Sequence, residues 1–425
     1  MPDFTIPTLG EPTVPSPLKL STVLGDHVAD FTPPDARILC DPTGADRATM
    51  EVAGPRQRNY FRGEEVVAGM VTCGGLCPGM NNVIRGLVRR LWFSYGVRRI
   101  WGFRYGFLGL TKRCPQPPMA LDPDVIHDIH LKGGTILGSS RGPQEPAEMV
   151  DLLQGMGVNV FFCVGGDGTL RGAEAIYQEV TRRGAKIAVV GVPKTVDNDI
   201  LYVEKTFGYE TAVAIAAEAI GAAHAEATGV PGGLGLVRLM GRSSGFIAAS
   251  AALASREANL VLVPEVPFDI HGERGILAYL RWRLRNRGHA LVVVAEGAGQ
   301  EHLPATEETD ASGNVKLADI GLFLAEIFRR ELKAEGASLR YIDPSYIVRA
   351  APANAGDSIF CGQLAEEAVH APMAGKTGLV VGLWLNRFTY LPLSAVNTGR
   401  KVISPDGAFW RSVVDSTGQP AVLRN

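Results

Sequence analysis

The chain predicts an α/β protein with mostly parallel sheets, on three observations. Apolar runs of strand length alternate with stretches of helical spacing, two such runs end directly in glycine- and aspartate-rich turns, and the glycine turns open helices rather than hairpins. Parallel strands need crossover connections, which helices supply. With 425 residues, 46% of them hydrophobic and 20% charged, the chain has length for a large core or two. A net charge of −2 without a basic block excludes a nucleic-acid surface, which concentrates positive charge.

In order along the chain, residues 1–63 are rich in Pro and Asp with only short apolar runs, and read as an extension laid over a core. Residues 66–72 form a continuous apolar strand, Gly74-Gly75 a turn, and 80–93 a helix with Val83, Leu87 and Leu91 on one face. Strand, glycine turn and helix recur over 158–182, and a strand over 186–192 leads into Asp197-Asn198-Asp199. A second α/β stretch follows. It has a helix over 209–227, a strand over 234–239 ending in Met240-Gly241-Arg242, and a helix over 244–254. Strands at 260–263 and 290–295 come next, the latter ending in Glu296-Gly297, and 298–316 reads as a surface loop.

The most informative segment is Gly165-Gly166-Asp167-Gly168-Thr169, directly after an apolar strand. Glycines let backbone N–H groups approach phosphate oxygens, Asp167 can bind Mg²⁺, and the following helix points its positive end at the anion. The next strand ends in Pro193-Lys194-Thr195-Val196-Asp197-Asn198-Asp199. In open parallel sheets ligands collect at the carboxyl ends of strands, so both motifs suit one site. Phosphoryl transfer needs cations on the moving group, a metal on the donor and an oriented nucleophile. Arg141, Lys194 and Arg242 are candidate clamps, Asp167 the metal ligand, and one Asp of the 197/199 pair a base for a hydroxyl proton. A Walker loop is excluded, because the glycine required upstream of Gly375-Lys376-Thr377 is His370, and no HRD loop is present.

Over 66–391 the chain resembles the 6-phosphofructokinase family. The matching motifs are GGLCPGMN at 74–81, YGFLGL at 105–110, GGTILGSSRG at 133–142, GGDGT, PKTVDND, LMGRSSG at 239–245, AEG at 295–297 and RYIDPSYIVR at 340–349. The extension, the Lys of PKT and the YIDPSYIVR wording resemble the plant and protist type. The resemblance implies two Rossmann-like three-layer α/β lobes with the active site in the cleft between them. It divides the chain into the extension 1–63, a nucleotide-binding lobe 64–208 with 350–398 returning to it, and a sugar-phosphate lobe 209–349 with 399–425 as a tail. It further implies that Gly75, Arg141, Gly142, Gly166, Asp167, Gly168 and Thr169 hold ATP, with Asp167 on Mg²⁺. Asp197 falls at the base for the sugar 1-hydroxyl, and Lys194, Thr195 and Arg242 lie at the phosphoryl group. Val196, Met240, Gly241 and Glu296 match sugar-binding positions, and Arg340, Tyr346, Ile347, Val348 and Arg349 the segment holding the sugar 6-phosphate.

The activity so implied is phosphorylation of fructose 6-phosphate at its 1-hydroxyl by ATP, in a homodimer or homotetramer whose sites are shared between subunits. Pyrophosphate-dependent members carry a second Asp where this chain has Gly168, so Gly168 favours ATP, while Lys194 fits either donor. The alternatives are a pyrophosphate enzyme, also acting on sedoheptulose 7-phosphate, and a silent regulatory subunit. Short bacterial members have an Arg at Gly233 and a His at Tyr346, so their allosteric behaviour is not carried over. The scattered cysteines at 40, 73, 77, 114, 163 and 361 read as thiols of a reducing compartment. An N-terminus without an apolar leader, and the absence of any membrane-length apolar run, predict a cytoplasmic protein with no membrane partner.

Overall fold

The computed structural model of the protein describes residues 2–23, 25–41, 43, 47–305, 308–309 and 315–425. The chain divides into two compact units: Met1–Thr195 with Ile200–Gly208 and Ala350–Arg400, and Val196–Asp199 with Tyr209–Arg349 and Lys401–Asn425. The four residues 196–199 thus group with the second unit, where the Ser244 hydroxyl donates to the Asp197 carbonyl and the Lys401 N–H to that of Asp199. The last crossing comes between Arg400 and Lys401.

Among the described residues the first unit builds a nine-stranded sheet. Its order is Arg37–Leu39, Thr49–Val52, Arg387–Pro392, Leu379–Trp384, Ala188–Pro193, Val160–Gly165, Val67–Thr72, Arg99–Phe103, Met119–Ala120. The five strands from Leu379–Trp384 to Arg99–Phe103 are mutually parallel and the flanking ones antiparallel. Every residue of Val67–Thr72, Val160–Gly165 and Ala188–Pro193 is buried. Such strands are covered on both faces, which is why they read as unbroken apolar runs. Helices Met80–Arg89 and Ala355–Met373 pack together as one layer, and Pro146–Gly155 and Asp167–Arg182 as another.

Three details differ from the sequence reading. The N-terminal segment does more than lie over a core: Thr49–Val52 and Arg37–Leu39 extend the sheet, because the hairpin strand Arg387–Pro392 leaves an open edge for Thr49–Val52 to pair with. Glu51 in this segment is buried between Arg56 at 2.8 Å and Lys376 at 2.7 Å. The helix expected over 80–93 is α-helical only through Arg89, and Arg90–Ser94 continues as a wider π turn that leaves Leu91 buried and Phe93 exposed. The surface loop expected over 298–316 begins inside the fold, since Ala298 is buried and the Gln300 amide donates to the carbonyls of Glu296 and Ala318. Residues 306–307 and 310–314 of that stretch lie outside the described residues.

The second unit centres on a four-stranded, all-parallel sheet in the order Leu260–Leu262, His289–Ala295, Gly233–Leu239, Ser338–Ile342. Helices Tyr209–Thr228 and Phe246–Ser255 form one layer, and Ile276–Arg287 and Ile320–Glu331 bury an aliphatic cluster against the other face. No helix among the described residues is long and apolar enough to cross a membrane. Cys73, Cys77, Cys163 and Cys361 are buried thiols; burial pushes Cys73 up to about 12 and Cys163 and Cys361 well above the ordinary thiol range.

Candidate active site

In the first unit, four of the predicted turns are tied together by hydrogen bonds. Lys194, at the end of Ala188–Pro193, is buried. Its Nζ donates to the Gly75 carbonyl at 2.7 Å and its N–H to the Gly165 carbonyl at 3.0 Å. Gly74 donates its N–H to the Ser140 carbonyl at 3.1 Å, and the Ser139 hydroxyl donates back to the Gly74 carbonyl at 2.6 Å. Gly75, the turn carrying Arg141 and Gly142, the Gly165–Thr169 turn and Lys194 therefore form one cluster. Thr195 follows Lys194 directly, and its carbonyl accepts from the Thr206 hydroxyl at 2.7 Å.

The glycines of this cluster differ in why they are there. A Cβ on Gly165 would overlap the Thr169 side chain, and one on Gly166 would press on the Lys194 carbonyl. Packing alone therefore requires glycine at 165 and leaves a Cβ at 166 only a tight fit. At Gly168, in the first turn of Asp167–Arg182, a Cβ would meet nothing within 4 Å and the backbone needs no positive φ. A helical glycine with no steric reason is destabilising by about 1 kcal/mol relative to Ala, so the space above it suits a ligand rather than the fold.

Asp167 begins that helix, half-buried, where a carboxylate complements the helix dipole. Its Oδ2 lies 2.6 Å from Arg400 Nε and 3.7 Å from Arg171 Nη1. A lone carboxylate beside a phosphate cradle fits Mg²⁺, which takes one or two carboxylates and completes its shell with water and substrate phosphates. Among the described residues no three His, Cys, Asp or Glu side chains gather as a metal cage.

In the second unit, Met240-Gly241-Arg242 and Glu296-Gly297 brace each other. Glu296 donates its N–H to the Leu239 carbonyl at 2.9 Å and Gly297 to the Gly241 carbonyl at 3.0 Å. The Glu296 carboxylate is held by Arg238 Nη2 at 3.1 Å; burial raises its pKa, opposed by Arg238 and Arg242. Arg238 also binds Asp343 at 2.8 Å, just before the Ser345–Ala350 helix. Arg242 is bonded to the Val315 carbonyl. Asp197, with Val196 buried beside it, sits in a loop whose next residue, Asn198, is left-handed at φ 53°.

The phosphofructokinase family model matches residues 67–372. The chain belongs to the phosphofructokinase family. It is 48% identical to the ATP-dependent 6-phosphofructokinase of Borreliella burgdorferi, over 88% of this chain and 86% of that one. To ATP-dependent 6-phosphofructokinase 7 of Arabidopsis thaliana it is 44% identical, over 97% of this chain and 86% of that one. Among solved structures, a pyrophosphate-dependent phosphofructokinase from Marinobacter aquaeolei superposes with a TM-score of 0.68, at 22% identity, over 83% of this chain and 91% of that one. At that identity the likeness speaks for the fold alone.

Within the family's sugar-phosphate motif the structure separates residues that the sequence presents as one run. Tyr346 and Ile347 are 75% and 65% exposed, but Val348 is fully buried, because the helix turns it into the core. The Val348 side chain therefore packs in the core, while those of Tyr346 and Ile347 stand open to solvent. Arg349 lies over the Tyr346 ring at 4.7 Å and acts electrostatically on Glu296. Arg340 keeps other company, Glu226 at 3.5 Å and the Ser338 hydroxyl at 3.0 Å. It pairs in register with Gly235, which faces helix Tyr209–Thr228, whereas its neighbour Tyr341 faces Ile320–Glu331. Arg238 and Arg400, which carry no motif signal, touch the site's carboxylates directly.

Proposed function

We propose that the protein transfers the γ-phosphoryl group of ATP to the 1-hydroxyl of fructose 6-phosphate, giving fructose 1,6-bisphosphate and ADP. The observation that carries this reading is near full-length identity above 40% to relatives named ATP-dependent 6-phosphofructokinase. In the donor half, Gly75, Arg141, Gly142, Gly166, Gly168 and Thr169 line the phosphates. Asp167 would hold Mg²⁺, which when bound neutralises donor phosphate charge. In the acceptor half, Met240, Gly241, Val196 and Glu296 orient the sugar, and Tyr346, Ile347 and Arg349 receive its 6-phosphate. Arg340 serves the same phosphate.

Asp197 accepts the proton of the 1-hydroxyl as that oxygen bonds to the γ-phosphorus, and the bond to the β,γ-bridging oxygen breaks, releasing ADP. Lys194, Thr195 and Arg242 stabilise the charge spread over the moving group. The open space above Gly168 supports ATP as donor, because a carboxylate there would meet the α-phosphate. Lys194 suits a diphosphate as well, so the test offers fructose 6-phosphate with ATP or with pyrophosphate; turnover with pyrophosphate alone would overturn the donor assignment. Asp197→Asn is expected to lower kcat by several orders of magnitude with little change in either KM, because a base acts in the transition state. Turnover within about tenfold of the wild type would remove Asp197 from that role.

A further inference from the structure

The cation in contact with Asp167 is a residue of the chain itself. Arg400 Nε lies 2.6 Å from Asp167 Oδ2, and Arg171 Nη1 stands behind the same oxygen at 3.7 Å. Arg400 is placed there by backbone: it forms an antiparallel bridge with Ile200, just past the Asp197-Asn198-Asp199 loop. Its side chain is 30% exposed and that of Asp167 21%, so the pair is only partly shielded from water and open to exchange. The Asp167 oxygen is already engaged by Arg400, so a bare divalent cation has to displace that guanidinium without offering it another anion. A cation that carries a nucleotide's phosphates brings oxygens to which the guanidinium can transfer.

From this geometry we infer that Arg400 is a resident counter-ion that makes the Asp167 site selective for a metal–nucleotide complex over the free metal. The inference rests on the reading of Asp167 as metal ligand in the proposed function. Without donor, Arg400 neutralises Asp167 and keeps a bare Mg²⁺ away. When the complex binds, Arg400 exchanges the carboxylate for a donor phosphate oxygen, for which a guanidinium is well suited. Asp167 is then released to the metal. Arg400 is thus a positioning residue on the donor side, and metal and nucleotide bind in one coupled event.

The test uses the whole protein and Mn²⁺ as a spectroscopic substitute for Mg²⁺. Free Mn²⁺ is titrated by electron paramagnetic resonance without nucleotide, and Mn²⁺ with a non-hydrolysable ATP analogue by calorimetry. In Arg400→Met, free Mn²⁺ is expected to bind about tenfold more tightly and the complex about tenfold more weakly. Arg400→Lys keeps the charge and is expected to stay near wild type in the first titration. If Arg400→Met does not fold, Arg400→Gln, which retains a donor to Asp167 without the charge, takes its place.

A structural tie alone would weaken both affinities or change neither, and either result overturns the inference. If the wild type takes up neither species, the reading of Asp167 as metal ligand fails, and the inference with it. If the wild type binds the complex and Arg400→Met matches it in both titrations, only the inference fails.

Discussion

At the scale of single residues, the donor half rests on a distinction between glycines that a motif cannot make. Gly165 is fixed by the Thr169 side chain and Gly166 is crowded by the Lys194 carbonyl, whereas Gly168 has no neighbour to avoid. Gly168→Asp should therefore fold normally, since the fold leaves room for the side chain. It is expected to weaken ATP use selectively by setting a carboxylate against the α-phosphate, raising KM for ATP by about a hundredfold or more while KM for fructose 6-phosphate changes little. Steady-state kinetics with both substrates varied checks this, and unchanged ATP kinetics would empty the donor pocket of its proposed meaning. Asp167, Gly168 and Lys194 were legible in the sequence because each lies in a short segment whose residue types carry the chemistry. Arg400 was not, because its partner Asp167 is 233 residues away and only folding brings them together. Arg238 was hidden for a related reason: an arginine inside a buried strand gives no sign of the three carboxylates, Glu296, Asp319 and Asp343, gathered around it.

At the scale of elements, the central strands were legible because burial on both faces leaves continuous apolar runs, while Arg37–Leu39 and Thr49–Val52 were not. A strand of three or four residues carries too little pattern, and its existence depends on a partner from the far end of the chain. Helix Ala355–Met373 shows what burial does to charge. Glu367 Oε2 on this helix is buried with no hydrogen-bond partner among the described residues, and burial raises the carboxyl from 4.5 to about 7 against the opposing pull of Arg90 and Arg56. His370, one turn on, is driven down to about 3 by burial, so it stays neutral and accepts or donates at 2.6 Å to the Tyr95 hydroxyl. A carboxyl whose folded pKa lies above its unfolded value binds its proton more tightly when folded. Its contribution to stability is complete below about 4.5 and declines as pH rises toward about 7, by at most about 3 kcal/mol. Glu367→Gln is uncharged at every pH and should raise the melting temperature at pH 8 by several degrees while leaving it nearly unchanged at pH 5. Thermal denaturation at the two pH values decides it, and an equal shift at both would show that the carboxyl is not protonated in the fold.

At the scale of the whole molecule, the proposed sugar-phosphate ligands are divided by the faces of one sheet. Arg238 and Tyr341 approach helix Ile320–Glu331, on the face where Arg238 holds Glu296. Arg340, on the edge strand Ser338–Ile342, leans toward Glu226 on the other face and is 41% exposed. The resemblance to the family implies that Arg340 serves the site of another copy of the chain, and its place on an outer strand, turned away from Glu296, is compatible with that, so we expect each active site to draw Arg340 from a partner subunit. A two-fold pair makes this testable. Arg340→Ala should lose activity through the 6-phosphate, as a raised KM for fructose 6-phosphate, and Asp197→Asn through chemistry, as a lowered kcat. Co-refolded in equal amounts, the two variants form mixed pairs in which one site carries both lesions and the other carries neither. Random pairing puts half the molecules in mixed pairs with half their sites intact, so activity is expected to recover to roughly a quarter of wild type. If subunit exchange is demonstrated by mass-tagged chains and the mixture stays as inactive as its parents, Arg340 serves its own chain and the monomer holds a complete site.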